Sequence, residues 1–198
     1  VNAWMQLPVG FEAEGRRVMS ADPTAIFFQP GWFHMAVHST LSTFIAVGFA
    51  VAALYARAWQ KGRRDDYVRS AIVVSMAVCG FSALWQPLSG DFLAKFVFRT
   101  QPAKFAAMEG QFRSERFAPL RIGGWPDIDS HETRWALKIP GGLSYLAAHD
   151  ASAEVTGLDQ IPRSEWPPVE ATHLSFQVMV GIGVLLMLVS VWFWVDRW

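Results

Sequence analysis

The stretch ATHLSFQVMVGIGVLLMLVSVWFWV, residues 171–195, contains no aspartate, glutamate, lysine or arginine. A helix needs about 20 apolar residues to cross the hydrocarbon core of a bilayer. Two further stretches, Met35–Ala56 and Ser70–Gly90, also lack these charged residues. In lipid each segment must satisfy its own backbone hydrogen bonds, so we expect all three to be helical. The sequence therefore predicts an all-α integral membrane protein with three transmembrane helices.

The composition agrees with a membrane protein and argues against some other classes. Only 17% of the residues are charged, below the roughly 25% of an average soluble domain. The formal net charge is zero and no block of like charge occurs, which argues against a nucleic-acid partner. The chain begins with Val1 and has no basic segment before a short apolar core. We therefore expect no signal peptide, and we expect an internal piece of a longer protein.

The short loop between the first two apolar stretches predicts the orientation of the chain. Residues 57–69 carry five lysines and arginines, and such loops lie on the cytoplasmic side. The long segment between the second and third stretches then lies outside, and it contains short helices. The predicted organisation is an outer-face segment 1–31, a transmembrane helix 32–59, a cytoplasmic basic loop 60–69, a transmembrane helix 70–90, an outer-face loop 91–170 and a transmembrane helix 171–195.

The outer-face loop contains the stretch QPAKFAAMEG, residues 101–110. Pro102 is suited to the first position of a helix. Lys104 and Glu109 are five residues apart, which is about 140° around a helix, so they do not form a stacked helical ion pair. The apolar neighbours of Glu109 favour a raised carboxyl pKa, and such a carboxylate can accept a proton from a hydroxyl group. Lys104 can donate a hydrogen bond to a carbonyl or phenolate oxygen. The alternative is a solvated surface helix with ordinary charges.

Two histidines and a methionine lie in the outer half of the predicted spans. His34 enters the first span and His38 follows one helical turn deeper on the same face. Met179 lies in the outer half of the third span. A histidine and a methionine from two helices can be the axial ligands of a haem iron. The alternatives are interfacial histidines and a methionine that only packs against its neighbours.

The chain resembles subunit I of the cytochrome bd-type quinol oxidases. The resemblance covers essentially the whole sequence, and its most specific motifs are QPAKFAAMEG and SFQVMVGIG. The other matching stretches are NAWMQLPVG (2–10), FHM (33–35), SGD (89–91), ETRWALKIPGGLSYLA (132–147) and IPRSEWPPVEATHL (161–174).

The resemblance implies an enzyme that oxidises quinol at the outer face and reduces dioxygen to water. Residues 91–170 resemble the quinol-binding loop in a short form, and Lys104 and Glu109 match its quinol-site residues. His34 and Met179 match the axial ligands of the low-spin haem b. His38 is the alternative to His34 if the first span is aligned on the basic loop, and His34 is preferred here.

The resemblance also implies a larger assembly. It predicts haem d and a high-spin haem b in the complete complex, an oxidase subunit II, small accessory subunits, and ubiquinol or menaquinol as substrate. The location implied is the bacterial or archaeal cytoplasmic (inner) membrane, where the protein is multi-pass.

The sequence departs from the family pattern in two respects. Gln177 stands at a position beside the haem where the family often has an arginine. The first four spans and the part after the third span of this chain are also missing, so the piece alone is incomplete for oxygen reduction. The alternative function is therefore a non-catalytic structural or assembly fragment, or a split subunit of such an oxidase. A small transporter, which would carry polar residues deep in its spans, ranks last.

Overall fold

The computed structural model describes residues 2–197, so Val1 and Trp198 lie outside the described residues. Within this range the chain is mostly helical. Its α-helices are α1 (Asn2–Gln6), α2 (Pro23–Phe27), α3 (Trp32–Gln60), α4 (Asp66–Thr100), α5 (Pro102–Glu109), α6 (Gly142–Ala148) and α7 (Val169–Asp196). Two short 3₁₀ helices cover Leu158–Gln160 and Arg163–Glu165.

Eight short strands accompany the helices and form four separate two-stranded antiparallel pairs. They are β1 (Phe11–Glu14), β2 (Arg17–Ala21), β3 (Glu115–Arg116), β4 (Leu120–Ile122), β5 (Trp125–Asp127), β6 (Glu132–Arg134), β7 (Leu137–Ile139) and β8 (Glu154–Val155). The pairs are β1–β2, β3–β8, β4–β7 and β5–β6. The sequence predicts an all-α protein and does not predict these strand pairs, because apolar periodicity over long windows does not detect strands of two to five residues.

Three helices, α3, α4 and α7, are long and apolar enough to cross a membrane. This confirms the prediction of three membrane-spanning helices in a mostly helical protein. Helix α4 is longer than the predicted span 70–90, because it runs from Asp66 to Thr100, with Pro87 inside it. This helix ends at Thr100, because the next residue, Gln101, precedes a proline and is driven out of the helical conformation, with φ −140°.

The chain forms two compact units, Val1–Leu93 with Met187–Trp198, and Ala94–Leu186. In the first unit, α3 and α4 pack through a buried cluster of Ala52, Met76 and Cys79. Gly48 faces Cys79 so closely that a Cβ atom at this position would overlap the Cys79 side chain. Small residues allow helices in lipid to approach in this way, since packing contacts rather than burial from water hold them together.

The second unit is built around α5. Phe105 of this helix packs with Leu143 and Val155 in one buried cluster. Ala106 and Ala107 face a second cluster that includes Leu158. Because both sides of this short helix are buried, its position is fixed by the surrounding strands and helices.

Candidate functional site

The local sequence of QPAKFAAMEG determines where α5 begins and ends. Pro102 occupies the first turn, where a missing N–H costs nothing. Gly110 follows the last helical residue with φ 62°, the left-handed conformation that glycine adopts without steric cost. The N–H of Gln111 donates to the carbonyl oxygen of Ala106 at 2.8 Å and completes the cap. Glu109 is therefore held at the end of a rigid helical turn.

Glu109 is a buried carboxyl group with an unsatisfied oxygen. The residue is 6% exposed, and its Oε2 atom has no hydrogen-bond partner among residues 2–197. Burial raises the pKa of Glu109 from 4.5 to about 7, although the positive charge of Arg121 opposes the rise. Both protonation states are therefore populated near neutral pH. A carboxyl group of this kind can exchange a proton with a bound hydroxyl group.

Arg121 on β4 brings a buried positive charge to this region. Its side chain is 11% exposed, and its guanidinium donates to Gln111 Oε1 and, at 3.5 Å, to Glu115 Oε1. Gln111 is fully buried and donates from Nε2 to the carbonyl of Arg113 at 2.7 Å and to Glu115 Oε1 at 3.0 Å. The guanidinium is thus held in place by side chains that are themselves fixed.

Lys104 lies one turn into α5, at the opposite end from Glu109. It borders a cleft of about 430 Å³ together with Pro102, Ile161 and Pro162. Burial lowers the pKa of the Lys104 ammonium below its usual value. Glu109 is not among the residues that line this cleft. The structure therefore places the two predicted quinol-site residues on one helix, with only Lys104 at the cleft.

Two side chains of α7 hold the segments that carry Glu109 and Arg121. His173 is fully buried, and its Nδ1 and Nε2 lie 2.9 Å and 3.3 Å from the carbonyl oxygens of Met108 and Gly123. Gln177 donates from Nε2 to the carbonyl of Arg121 at 3.0 Å, and its Oε1 accepts from the Gly123 N–H at 3.0 Å. The predicted cofactor-binding Gln177 is therefore engaged with the backbone of the β4–β5 turn.

Met179 lies on α7 two residues beyond Gln177, and it is 52% exposed. Gly181 and Gly183 have no atoms nearby where a Cβ would stand. Gly183 is one helical turn from Met179 on the same face. A Cβ at either glycine would therefore meet no other described side chain.

The two candidate histidine ligands belong to the other unit. His38 faces α4, where its Nδ1 lies 3.1 Å from Ser89 Oγ and its Nε2 lies 3.1 Å from Gln86 Nε2. His34 stacks on Phe92 with ring centroids 6.3 Å apart. Gly90 keeps the neighbourhood of the His38 ring free of a side chain.

The candidate ligand side chains, imidazole and thioether, are of types that can bind haem iron. Among residues 2–197 no group of three or more His, Cys, Asp or Glu side chains could hold a metal ion. A haem needs only axial ligands from the protein, and imidazole nitrogen and thioether sulfur are both such ligands. Met179 in one unit, and His34 and His38 in the other, are side chains of these two types.

The family model described as cytochrome bd terminal oxidase subunit I matches residues 1–198. The chain belongs to this family. The sequence resemblance to cytochrome bd oxidase subunit I is confirmed.

Three similar proteins support the assignment to cytochrome bd subunit I. The chain is 37% identical over 195 residues to "Putative cytochrome bd menaquinol oxidase subunit I" of Bacillus subtilis (strain 168), covering 96% of this chain and 44% of that protein. It is 29% identical over 186 residues to cytochrome bd-II ubiquinol oxidase subunit 1 of Escherichia coli (strain K12), covering 92% of this chain and 36% of that protein. The structure of bd oxidase from Geobacillus thermodenitrificans matches with a TM-score of 0.90 and 36% identity, covering 98% of this chain and 45% of that chain.

The chain therefore spans less than half the length of the relatives that it matches. The residues that sequence reasoning missed are Arg121, Gln111 and His173. Arg121 and Gln111 lie outside the matching stretches, and His173 lies inside the stretch 161–174, which gives no sign of its contacts. The Gly123–Gly124 pair predicts a turn directly after β4.

Proposed function

We propose that this chain supplies the quinol-oxidising site and the axial ligands of a low-spin haem b in a cytochrome bd-type terminal oxidase that reduces dioxygen to water. The observation that carries the proposal is the buried, unpartnered Oε2 of Glu109. A buried polar atom without a partner is costly in a folded protein. A bound hydroxyl group that donates to this oxygen would remove that cost.

Glu109 is the proton acceptor of the proposed reaction. Conversion of a quinol to a quinone releases two protons and two electrons, and the ionised Glu109 takes a proton from a quinol hydroxyl. The pKa of Glu109 of about 7 suits this role, because a general base works best when its pKa lies near the operating pH. Lys104 donates a hydrogen bond to a quinol oxygen.

The proposed haem ligands are Met179 and His34, with His38 as the alternative to His34. When bound, the low-spin haem b accepts electrons one at a time. Methionine sulfur as a ligand raises the reduction potential of a haem relative to two histidines. Gln177 lies close to Met179 along α7 and keeps the β4–β5 turn beside that helix.

The complete enzyme extends beyond this chain. We infer that haem d and a high-spin haem b, an oxidase subunit II and small accessory subunits complete the complex. The names of the relatives include both menaquinol and ubiquinol oxidases, and the proposed substrate is one of these two quinols. In the proposed topology residues 91–170 face the outer side of the cytoplasmic membrane, and protons from quinol leave there.

The experiment is quinol oxidation by the assembled oxidase that contains the complete subunit. Glu109→Gln should lower quinol oxidation about 100-fold or more, the loss of a general base, and leave the haem spectrum intact. Glu154→Gln, at an exposed position on β8, is the matched control and should be neutral. Wild-type turnover of Glu109→Gln would refute the proton-acceptor role. Absence of a haem signal in the wild-type oxidase would favour the structural or assembly alternative.

A further inference from the structure

The Arg121 side chain is fixed at a position where its charge acts on Glu109. The guanidinium is 11% exposed and donates to Gln111, to Glu115 and, at 3.4 Å, to the carbonyl oxygen of Pro119. The Gln177 amide holds the carbonyl oxygen of Arg121 from the other side. The Arg121 side chain is therefore already ordered in the folded protein, and its hydrogen bonds hold the guanidinium in place.

Among residues 2–197, Arg121 is the one charged group that acts on the buried Glu109 carboxyl, and the effect is mutual. The Arg121 guanidinium donates to buried Gln111, which lies two residues beyond Glu109. The Glu109 oxygen Oε2 has no hydrogen-bond partner of its own. A carboxylate that ionises in such a site depends on nearby positive charge, because water is excluded.

We propose that Arg121 is a positioning residue of the quinol site that holds a positive charge against the ionised form of Glu109, and that Glu115 limits how much of this charge Glu109 experiences. This inference rests on the proposed role of Glu109 as proton acceptor. Glu115 shares the guanidinium from the more exposed side, since its side chain is 41% exposed. Glu109 and Glu115 thus compete for one fixed cation.

The other charged groups around α5 have their own partners or face solvent. Asp159 accepts from the Ser114 N–H and Oγ, and Lys95 lies 2.7 Å from His149 Nε2. His173 faces two backbone carbonyls. The remaining titratable and charged groups on the segments that pack around α5 are Arg99, Lys104, Arg113, Arg116, Asp127, Asp129, His131, Glu132, Arg134, Tyr145, Glu154, Arg163, Glu165 and Glu170.

Substitutions of Arg121 and of Glu115 should move the pH profile of kcat/KM in opposite directions. Arg121→Met removes the positive charge, so Glu109 keeps its proton to higher pH and the acid limb of kcat/KM for quinol moves to higher pH. Glu115→Gln removes the competing negative charge and keeps an oxygen acceptor for Arg121, so the limb moves to lower pH. A movement of one pH unit changes kcat/KM about tenfold at a pH well below the limb.

The test is the pH dependence of kcat/KM for quinol in the assembled oxidase, for wild type, Arg121→Met, Arg121→Lys, Glu115→Gln and the control Arg116→Gln. Arg116 is an exposed arginine on the neighbouring strand β3 and should leave the limb unchanged. Arg121→Lys should restore most of the wild-type profile. Opposite displacement by Arg121→Met and Glu115→Gln supports the proposal. A uniform loss at every pH without displacement would overturn it.

Failure of the proposed Arg121 role can be distinguished from failure of the proposed function. If Glu109→Gln retains wild-type turnover, the proposed function itself is wrong. If Glu109→Gln is impaired and the profiles of the Arg121 and Glu115 variants stay in place, only the role of Arg121 is wrong. If Arg121→Met fails to assemble, Glu115→Gln decides alone, because its half-exposed position should tolerate the substitution. An acid limb that stays in place or moves to higher pH in Glu115→Gln contradicts the proposal.

Discussion

Glu109→Gln should change the pH dependence of local stability around α5. The folded structure raises the pKa of Glu109 from 4.5 to about 7, so the folded state keeps a proton that the unfolded state releases. The stabilisation is fully present below pH 4.5 and is lost as the pH rises through 7. Since one pKa unit corresponds to about 1.4 kcal/mol, the full loss is about 3 kcal/mol. Glutamine is neutral at every pH and should abolish it.

Hydrogen exchange measures this effect in the assembled oxidase. The free energy of local opening of residues 102–115, followed by mass spectrometry from pH 4 to pH 8, should fall with pH in the wild type and stay level in Glu109→Gln. The variant should be the more stable protein at pH 8. Glu154→Gln serves as control, because its exposed carboxyl should reproduce the wild-type slope. Equal slopes in wild type and Glu109→Gln would show that burial does not govern this carboxyl.

Two further substitutions test the surroundings of the site. Gln177→Leu removes two hydrogen bonds to the β4–β5 turn and should lower the free energy of local opening of residues 120–125 by about 1–3 kcal/mol, measured by hydrogen exchange; unchanged protection there would contradict the hydrogen-bonding role. Gly110→Ala forces a left-handed φ on alanine at about 1–2 kcal/mol and also places a Cβ against Thr133, so both stability and quinol oxidation should decline. Gly123→Ala is its control, with a similar φ but open space, and should lose stability only.

The helical part of the fold follows from local sequence. The three long helices can be predicted from their length and apolar composition, and Pro102 indicates where α5 begins. Glu109 could be recognised as a perturbed carboxyl from its apolar neighbours alone. These features depend on residues within one or two turns of each other, which is the range over which sequence patterns are informative.

The electrostatic surroundings of Glu109 could not be predicted in the same way. Arg121 lies twelve residues later and is placed by the pairing of β4 with β7, whose strands have only three residues each. Gln177 and His173 come from a helix more than sixty residues away along the chain. The partners of a buried charge depend on such tertiary contacts, and a local sequence pattern does not predict them.

In the proposed function, quinol electrons enter a low-spin haem held by this chain. The most direct test of this step is the reduced-minus-oxidised spectrum of the assembled oxidase reduced by quinol, for wild type, Met179→Leu, His34→Ala and His38→Ala. We expect a low-spin haem b signal in the wild type that is lost in Met179→Leu and in one histidine variant, with His34→Ala as the preferred one. A low-spin signal that survives in Met179→Leu and in both histidine variants would contradict it.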